Sequence, residues 1–430
     1  MQAMSVQQER AVLVGVDWSG RGGPPLAATL EELGLLAESA GARVVGTAVQ
    51  ARERPDAATF IGRGKLEELV ALADAEEADV VLFDDELAPA QQRNLEKALE
   101  RKTLDRTQLI LDIFARRART REGRLQVELA QLEYLLPRLA GKGVMLSRLG
   151  GGIGTRGPGE TKLETDRRRI RQRILSLKRE IEHVRRTRDT RRQGRHRTGA
   201  PVAALVGYTN AGKSTLFNAL TQAQAQVADR LFMTLDPLVR RARLGPGRDV
   251  LLVDTVGFIQ KLPHQLVAAF RATLEEVVEA DLLLHVSDAA AEDRGQREGA
   301  VREVLREIGA AERPTLMVLN KRDLLDPERA AALFSQLPEA VPVSAVTGAG
   351  LDDLRLRLEQ RLDLVPRRVS LRFDADDAAG IAGVYASGRV LGHDVEHGQA
   401  LLDAELPGRL VERYRAHLCD EAEDRTVLQP

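Results

Sequence analysis

Residues 202–215 read Val-Ala-Ala-Leu-Val-Gly-Tyr-Thr-Asn-Ala-Gly-Lys-Ser-Thr and run into the helical pattern Leu216-Phe217-Asn218-Ala219-Leu220. A short apolar run that breaks into G-x-x-x-x-G-K-S and then into a helix is the sequence form of a phosphate-binding loop in an α/β sheet. A buried strand delivers the chain to Gly207. The backbone N–H groups of Gly207-Tyr208-Thr209-Asn210-Ala211-Gly212 then converge on an anion at the N-terminus of the next helix. Lys213 is expected to reach the β- and γ-phosphates, and the Ser214 hydroxyl to ligate Mg2+. The alternative is a glycine turn that merely joins strand to helix, and composition weighs against it. Only nine of the 63 basic residues are lysines, so a lysine at this position is not background.

Working outward toward the C-terminus, Leu251-Leu252-Val253-Asp254-Thr255-Val256-Gly257 is a strand ending in D-x-x-G. Asp254 is expected to hold Mg2+, and the Gly257 N–H to approach the γ-phosphate without side-chain obstruction. Between the two motifs lies Phe232-Met233-Thr234-Leu235-Asp236. By order and spacing, Thr234 stands where a mobile-loop threonine completes the metal shell. The metal set is thus Ser214, Thr234 and Asp254, and the catalytic set is Lys213, Thr234 and Gly257. Further on, Leu316-Met317-Val318-Leu319 leads into Asn320-Lys321-Arg322-Asp323. Asp323 can accept from guanine N1–H and N2–H2, Asn320 can bond the O6/N7 edge, and the Lys321 stem can cover the ring. Adenine leaves that carboxylate unpaired, a penalty of about 1–3 kcal/mol. Ser344-Ala345-Val346 supplies a turn whose backbone meets O6. Four motifs in order, each at the end of a strand, define a guanine-nucleotide domain of doubly wound form.

Phe258 follows Gly257, where many GTPases carry a water-orienting glutamine. A phenyl ring cannot orient water, so slow intrinsic hydrolysis that a partner accelerates is expected.

Upstream, residues 6–115 alternate apolar runs with helical patterns. Residues 12–16, 42–49, 80–83 and Leu109-Ile110-Leu111-Asp112-Ile113-Phe114 read as strands; 26–39, 65–78 and 88–101 read as helices. This predicts a largely parallel α/β domain. Its Gly62-Arg63-Gly64-Lys65 loop is more simply a strand-to-helix turn than an anion site.

Leu125, Leu129, Leu132, Leu136 and Leu139 then recur at helical spacing, and Ile170, Ile174, Leu177, Ile181 and Val184 at heptad-like spacing. Two such helices predict an antiparallel hairpin. Its tip, residues 141–160, holds eight glycines in twenty positions. A run this glycine-rich stays flexible or orders on a partner that needs close backbone approach. Arg148, Gly150, Gly151, Gly152, Gly154, Arg156, Gly157 and Gly159 are the candidate RNA contacts; a plain flexible linker is the alternative. Residues 161–197 carry fifteen Lys/Arg against five Asp/Glu, although the whole chain has a net charge of −1. One basic arm on a near-neutral protein suggests a local polyanion contact.

The tail opens with strand-like Val369-Ser370-Leu371-Arg372-Phe373, continues through Val384 to Val390, and ends in a helix-like stretch from Gly408 to His417. It reads as a small α+β module without a chemical motif. The predicted division is 1–115, 116–199, 200–365 and 366–430. Aromatic content of 3% gives a base-stacking platform little support. A single cysteine, Cys419, excludes an internal disulfide. Without a signal sequence or an eighteen-residue apolar run, the expectation is a cytoplasmic protein without a stable membrane anchor, and a monomer.

The chain resembles the HflX family of ribosome-associated, translation-factor-related GTPases. The resemblance spans essentially the whole length. It rests on Asp112-Ile113-Phe114-Ala115-Arg116-Arg117-Ala118, Leu125 to Leu132, Gly150 to Glu160, Thr234-Leu235-Asp236-Pro237 and Asp254-Thr255-Val256-Gly257-Phe258. It implies GTP and GDP as ligands and binding to the large ribosomal subunit and its rRNA, with the glycine-rich region reaching toward the peptidyl-transferase centre. It also implies ribosome-stimulated hydrolysis and splitting or rescue of stalled ribosomes under stress. In related GTPases an asparagine placed like Asn210 helps bind a potassium ion. The rivals are an RNA-binding or chaperone-like protein whose nucleotide domain only anchors it, and a regulatory GTPase recruited to the membrane periphery.

Overall fold

The computed structural model describes residues 8–18, 23–139, 158–196, 200–221, 231–232, 234–245, 248–261 and 271–419. The chain divides into two units, each discontinuous in sequence. The first comprises residues 1–187 with 228–236 and 256–274; the second comprises 188–227, 237–255 and 275–430.

The first unit begins with β1 (Arg10–Trp18), α1 (Leu26–Ser39), β2 (Arg43–Arg52), α2 (Arg63–Ala75), β3 (Val80–Phe83), α3 (Pro89–Leu99) and β4 (Lys102–Asp105). The sheet order is β2-β1-β3-β4, with every pairing parallel. All four β3 residues are buried, as expected of an interior strand covered on both faces. The predicted strand at Leu109–Phe114 is instead the body of a helix, α4 (Arg106–Arg117), and the fourth strand is the short segment just before it. Leu109, Ile110, Leu111, Ile113 and Phe114 are all buried. The less-buried stripe Gln108, Asp112 and Arg116 recurs at helical spacing, but the six residues from Leu109 to Phe114 hold only Asp112 of it, so that short run looks like a buried strand. The Asp105 carboxylate decides the matter locally by accepting from the Gln108 N–H at 2.9 Å, which caps the new helix.

Two long helices follow, α5 (Arg121–Arg138) and α6 (Pro158–His196). Their apolar stripes pack together. Leu125 and Leu129 meet Ile174 and Leu177, flanked by Leu132, Leu136, Ile170, Ile181 and Val184. Arg173 reaches Glu128 at 2.7 Å and Lys178 reaches Glu133 at 2.8 Å, so part of the basic ladder is used to tie the pair. The predicted loop to Glu160 ends earlier, because α6 starts at Pro158. Proline suits a first helical position, where its missing N–H has no intrahelical partner to lose. Gly159 therefore lies in a helical first turn, while Arg148, Gly150, Gly151, Gly152, Gly154, Arg156 and Gly157 fall outside the described residues.

The second unit contains β5 (Val202–Val206), α7 (Lys213–Thr221), β6 (Leu238–Gly245), β7 (Arg248–Asp254), β8 (Leu282–Asp288), α8 (Arg294–Glu307), β9 (Thr315–Asn320), α9 (Pro327–Gln336), β10 (Val341–Pro342) and α10 (Leu351–Arg361). The strand order is β10-β9-β8-β5-β7-β6, with only β6 antiparallel to its neighbour. β5 is central and both its neighbours run parallel to it, so its carboxyl end lies where an open α/β sheet binds ligands. The C-terminal module pairs β11 (Pro366–Asp374), β12 (Arg389–Glu396) and β13 (Gln399–Pro407) antiparallel in the order β11-β13-β12, with helix α11 (Ala378–Ser387) buried through Val384. Val384 to Ser387 thus close a helix before Arg389 and Val390 open a strand. Among the described residues no helix is long and apolar enough to cross a membrane.

Candidate nucleotide site

Within the second unit the loop from Gly207 to Ser214 leaves the end of β5 and enters α7. Asn210 takes φ 59° and Gly212 φ 87°, both left-handed. Asparagine tolerates that region better than other side chains. Gly212 faces a second constraint, because a Cβ there would collide with Asn320 Nδ2.

Lys213 is buried, and its ammonium donates to the carbonyls of Gly207 at 3.0 Å and Tyr208 at 2.7 Å, lying across the loop it belongs to. Burial pushes its pKa down to about 8, against the opposing pull of Asp254. Ser214 Oγ donates to Asp254 Oδ2 at 2.7 Å, which brings the first turn of α7 to the end of β7. Thr255 Oγ1 donates to the Leu205 carbonyl at 2.6 Å and fixes β7 to β5 one residue further on. Two hard oxygen donors, one of them a fully buried carboxylate, are side by side here, and such donors suit Mg2+.

Asn320 sits at the end of β9 and is 2% exposed. Its Nδ2 donates to the Ala211 carbonyl at 2.9 Å and its Oδ1 accepts from the Ala345 N–H at 3.0 Å. The residue assigned to the base edge is thus also a tie between the phosphate loop and the Ser344-Ala345-Val346 turn. Lys321 is left-handed at φ 63°, and its ammonium is 2.8 Å from Asp288. Arg322 lies over the Phe334 ring, and Asp323 is exposed. Ser344 is fully buried and its Oγ accepts from the Thr347 N–H at 3.1 Å, while Val346 is 81% exposed.

Behind the loop is a polar layer that carries no motif. Glu298 of α8 accepts from Ser287 Oγ at 2.9 Å and from Arg294 at 2.7 Å, and Arg297 lies over the Tyr208 ring. His285 of β8 is buried, and burial lowers its pKa to about 4, so it is neutral at pH 7. β8 is buried along nearly its whole length, so no alternation in the sequence marks His285 or Ser287 for these roles.

Phe232, Thr234, Leu235, Asp236, Val256 and Gly257 belong to the first unit, and Met233 lies outside the described residues. The Leu231 N–H donates to Ser39 Oγ at 3.0 Å. Phe232 meets Phe114 edge to face at 4.7 Å. Thr234 is half-buried, and Leu235 is buried. Asp236 turns its carboxylate to the start of α5, with the N–H groups of Arg119 and Thr120 each at 2.9 Å. Phe258 and Ile259 are buried. Lys261 reaches Asp84 at 2.7 Å and also pairs with Asp85. Arg106, itself buried, joins Asp84 at 2.7 Å, Glu32 at 2.6 Å and the Gln260 carbonyl at 3.4 Å. Burial opposes charge on Asp84, but Arg106 and Lys261 outweigh it and hold the carboxyl at about 2. Burial raises the Glu32 pKa, against the opposing pull of Arg106.

Residues 27–115 match the family model described as GTP-binding GTPase N-terminal, 117–195 the GTP-binding GTPase middle region, and 202–321 the 50S ribosome-binding GTPase. The chain is 48% identical over 415 residues to the GTPase HflX of Caldanaerobacter subterraneus subsp. tengcongensis, covering 96% of this chain and 95% of that one. It is 44% identical over 418 residues to the protein of the same name from Lacrimispora saccharolytica, covering 97% of each. Against that of Escherichia coli K12 it is 50% identical over 335 residues, 77% of this chain and 79% of the other.

Proposed function

The chain belongs to the HflX family of GTPases, and we propose that it is a Mg2+-dependent GTP-hydrolysing factor that binds the large ribosomal subunit and separates or rescues stalled ribosomes. One observation carries the nucleotide part of this reading. Asn320 bonds both the loop that carries Lys213 and the turn at Ala345, so phosphate recognition and base recognition are built as one piece. Lys213 is stored across the carbonyls of its own loop and is available to a phosphate oxygen in their place. Ser214, Asp254 and Thr234 are the residues to hold Mg2+, which when bound neutralises charge on the β- and γ-phosphate oxygens. Asp323 and the Ser344-Ala345-Val346 turn select guanine. A potassium ion beside Asn210 belongs to the same proposal, and hydrolysis rates in K+ against Na+ check it.

Phe258 has no polar atom and is buried, so it does not orient the attacking water. Slow intrinsic turnover accelerated by the ribosome follows. The basic face of α6 and the glycine-rich segment 141–157 supply the rRNA contact. Arg168, Arg171 and Arg179 are exposed on that helix, and a charged face with many phosphate partners gives strongly salt-dependent binding.

The test is light scattering of intact ribosomes mixed with the full chain. Dissociation should be fast with GTP, slow with GDP, and lost in Lys213→Ala. Dissociation that persists unchanged in Lys213→Ala makes the nucleotide domain an anchor and leaves an RNA-binding protein. Sedimentation with liposomes and not with large subunits favours the membrane-recruited reading.

A further inference from the structure

Thr120 is the N-cap of α5, and its Oγ1 accepts from the Gly123 N–H at 2.9 Å. The same hydroxyl donates to Asp236 Oδ1, while Asp236 Oδ2 takes the N–H groups of Arg119 and Thr120 at 2.9 Å each. A carboxylate more than a hundred residues away in sequence therefore completes the first turn of the helix. A helix N-terminus leaves N–H groups without intrahelical partners, and a negative charge there is favourable. Gly123 is part of the fit. A Cβ at this position would fall on Asp236 Oδ1, with Thr120 Oγ1 only 3.2 Å away. Glycine is a poor helix former, so its presence in the first turn of an eighteen-residue helix needs a reason of this kind.

Asp236 is two residues from Thr234. Two residues span at most about 7 Å, so Thr234 cannot travel far while Asp236 stays in place. Upstream, the segment is held by Leu231 on Ser39 and by Phe232 on Phe114. Downstream, Asp236 is the hold. We propose that Asp236 is a positioning residue that joins the Thr234 segment to the first turn of α5, so that the nucleotide state sets the start of the helical pair whose other end carries the glycine-rich segment. Binding linkage makes the coupling reciprocal: a partner that fixes α5 also favours one state of Thr234. This rests on the proposed contact of Thr234 with Mg2+ and the γ-phosphate.

The test uses the full chain and variants on the α5 side, away from the nucleotide. Gly123→Ala displaces the carboxylate although helix propensity alone favours it. Thr120→Val removes the hydroxyl, and Thr120→Ser keeps it. Amide hydrogen exchange of residues 119–124 is compared with GDP and with a non-hydrolysable GTP analogue, beside nucleotide affinity and hydrolysis stimulated by large subunits. In the wild type and in Thr120→Ser, exchange should differ between the two nucleotides by at least about fivefold. In Gly123→Ala and Thr120→Val that difference and most of the stimulation should vanish, with affinity for both nucleotides kept. Equal exchange in the two wild-type complexes, or full coupling in both Gly123→Ala and Thr120→Val, overturns the proposal while leaving GTP hydrolysis standing. If the wild type fails to bind GTP at all, the underlying reading fails instead.

Discussion

Asn320 Nδ2 and the Ala211 carbonyl lie 2.9 Å apart, and this bond runs from the end of β9 to the phosphate loop in a place closed to water. Its loss in Asn320→Ala strands the Ala211 carbonyl and the Ala345 N–H, each at a cost of about 1–3 kcal/mol. Affinity for GDP should fall by at least tenfold and the melting temperature should drop. Fluorescent-nucleotide titration and a thermal melt check both. Unchanged values in the variant mean that the bond is incidental.

Lys213 supplies a pH dependence of defined sign. Its pKa of about 8 in the free protein lies below the ordinary lysine value, so above pH 8 the side chain is mostly neutral. Phosphate favours the charged form, and nucleotide binding must then take up a proton. GTP affinity should be level below pH 8 and decline above it, by at most about tenfold per pH unit. For the nucleotide-free protein the sign is opposite. Its stability contribution from this group rises from pH 8 toward the unfolded lysine value. Titration between pH 7 and 9.5 decides, and affinity that holds level to pH 9.5 contradicts the buried state of Lys213.

Lys261 and Arg106 offset the buried carboxylates Asp84 and Glu32 and the half-buried Asp85 of the first unit. Lys261→Met leaves Arg106 alone against them. The expected destabilisation lies below the about 3–5 kcal/mol of a fully buried broken pair, because Lys261 is 26% exposed. Asp84 is held at about 2, so its stabilising contribution is full above the unfolded aspartate value and is lost as pH falls from there toward 2. Without Lys261 its carboxyl moves up, and the midpoint of acid unfolding should shift to higher pH. Circular dichroism against pH for both proteins gives the answer, and coincident acid transitions would exclude the pairing.

His285 sets a second acid limit, on the other unit. Burial holds its pKa to about 4, below the ordinary histidine value near 6.5, so the unfolded chain binds the proton more readily between those values. Stability should fall as pH drops through that window, and His285→Gln should flatten the fall. A variant with the wild-type slope excludes a neutral buried imidazole as its source.

The parts legible in the sequence were those where chemistry restricts the residue type. Gly212, Lys213 and Ser214 are readable because G-x-x-x-x-G-K-S fixes a strand-to-helix loop, and they do lie where β5 passes into α7. Val80 to Phe83 are readable because an interior parallel strand is apolar on both faces. Leu109 to Phe114 read as a strand because six residues hold only one member, Asp112, of the polar stripe Gln108, Asp112 and Arg116 that marks the helix. Asp236 reads in the sequence as one more residue of the loop around Thr234. Its partners, Arg119 and Thr120, lie across the fold, and no local pattern announces a pairing of that range. Asn320 shows a further limit, because N-K-x-D offers it as a candidate for the base edge but its bond to Ala211 depends on where β9 ends relative to the loop.

The most direct measurement is the steady-state rate of GTP hydrolysis by the full chain, alone and with purified large ribosomal subunits, for the wild type and for a variant lacking residues 150–159. The expected result is a slow basal rate in both, strong stimulation of the wild type, and weak stimulation of the deletion. A wild-type rate that large subunits leave unchanged would contradict the ribosomal reading.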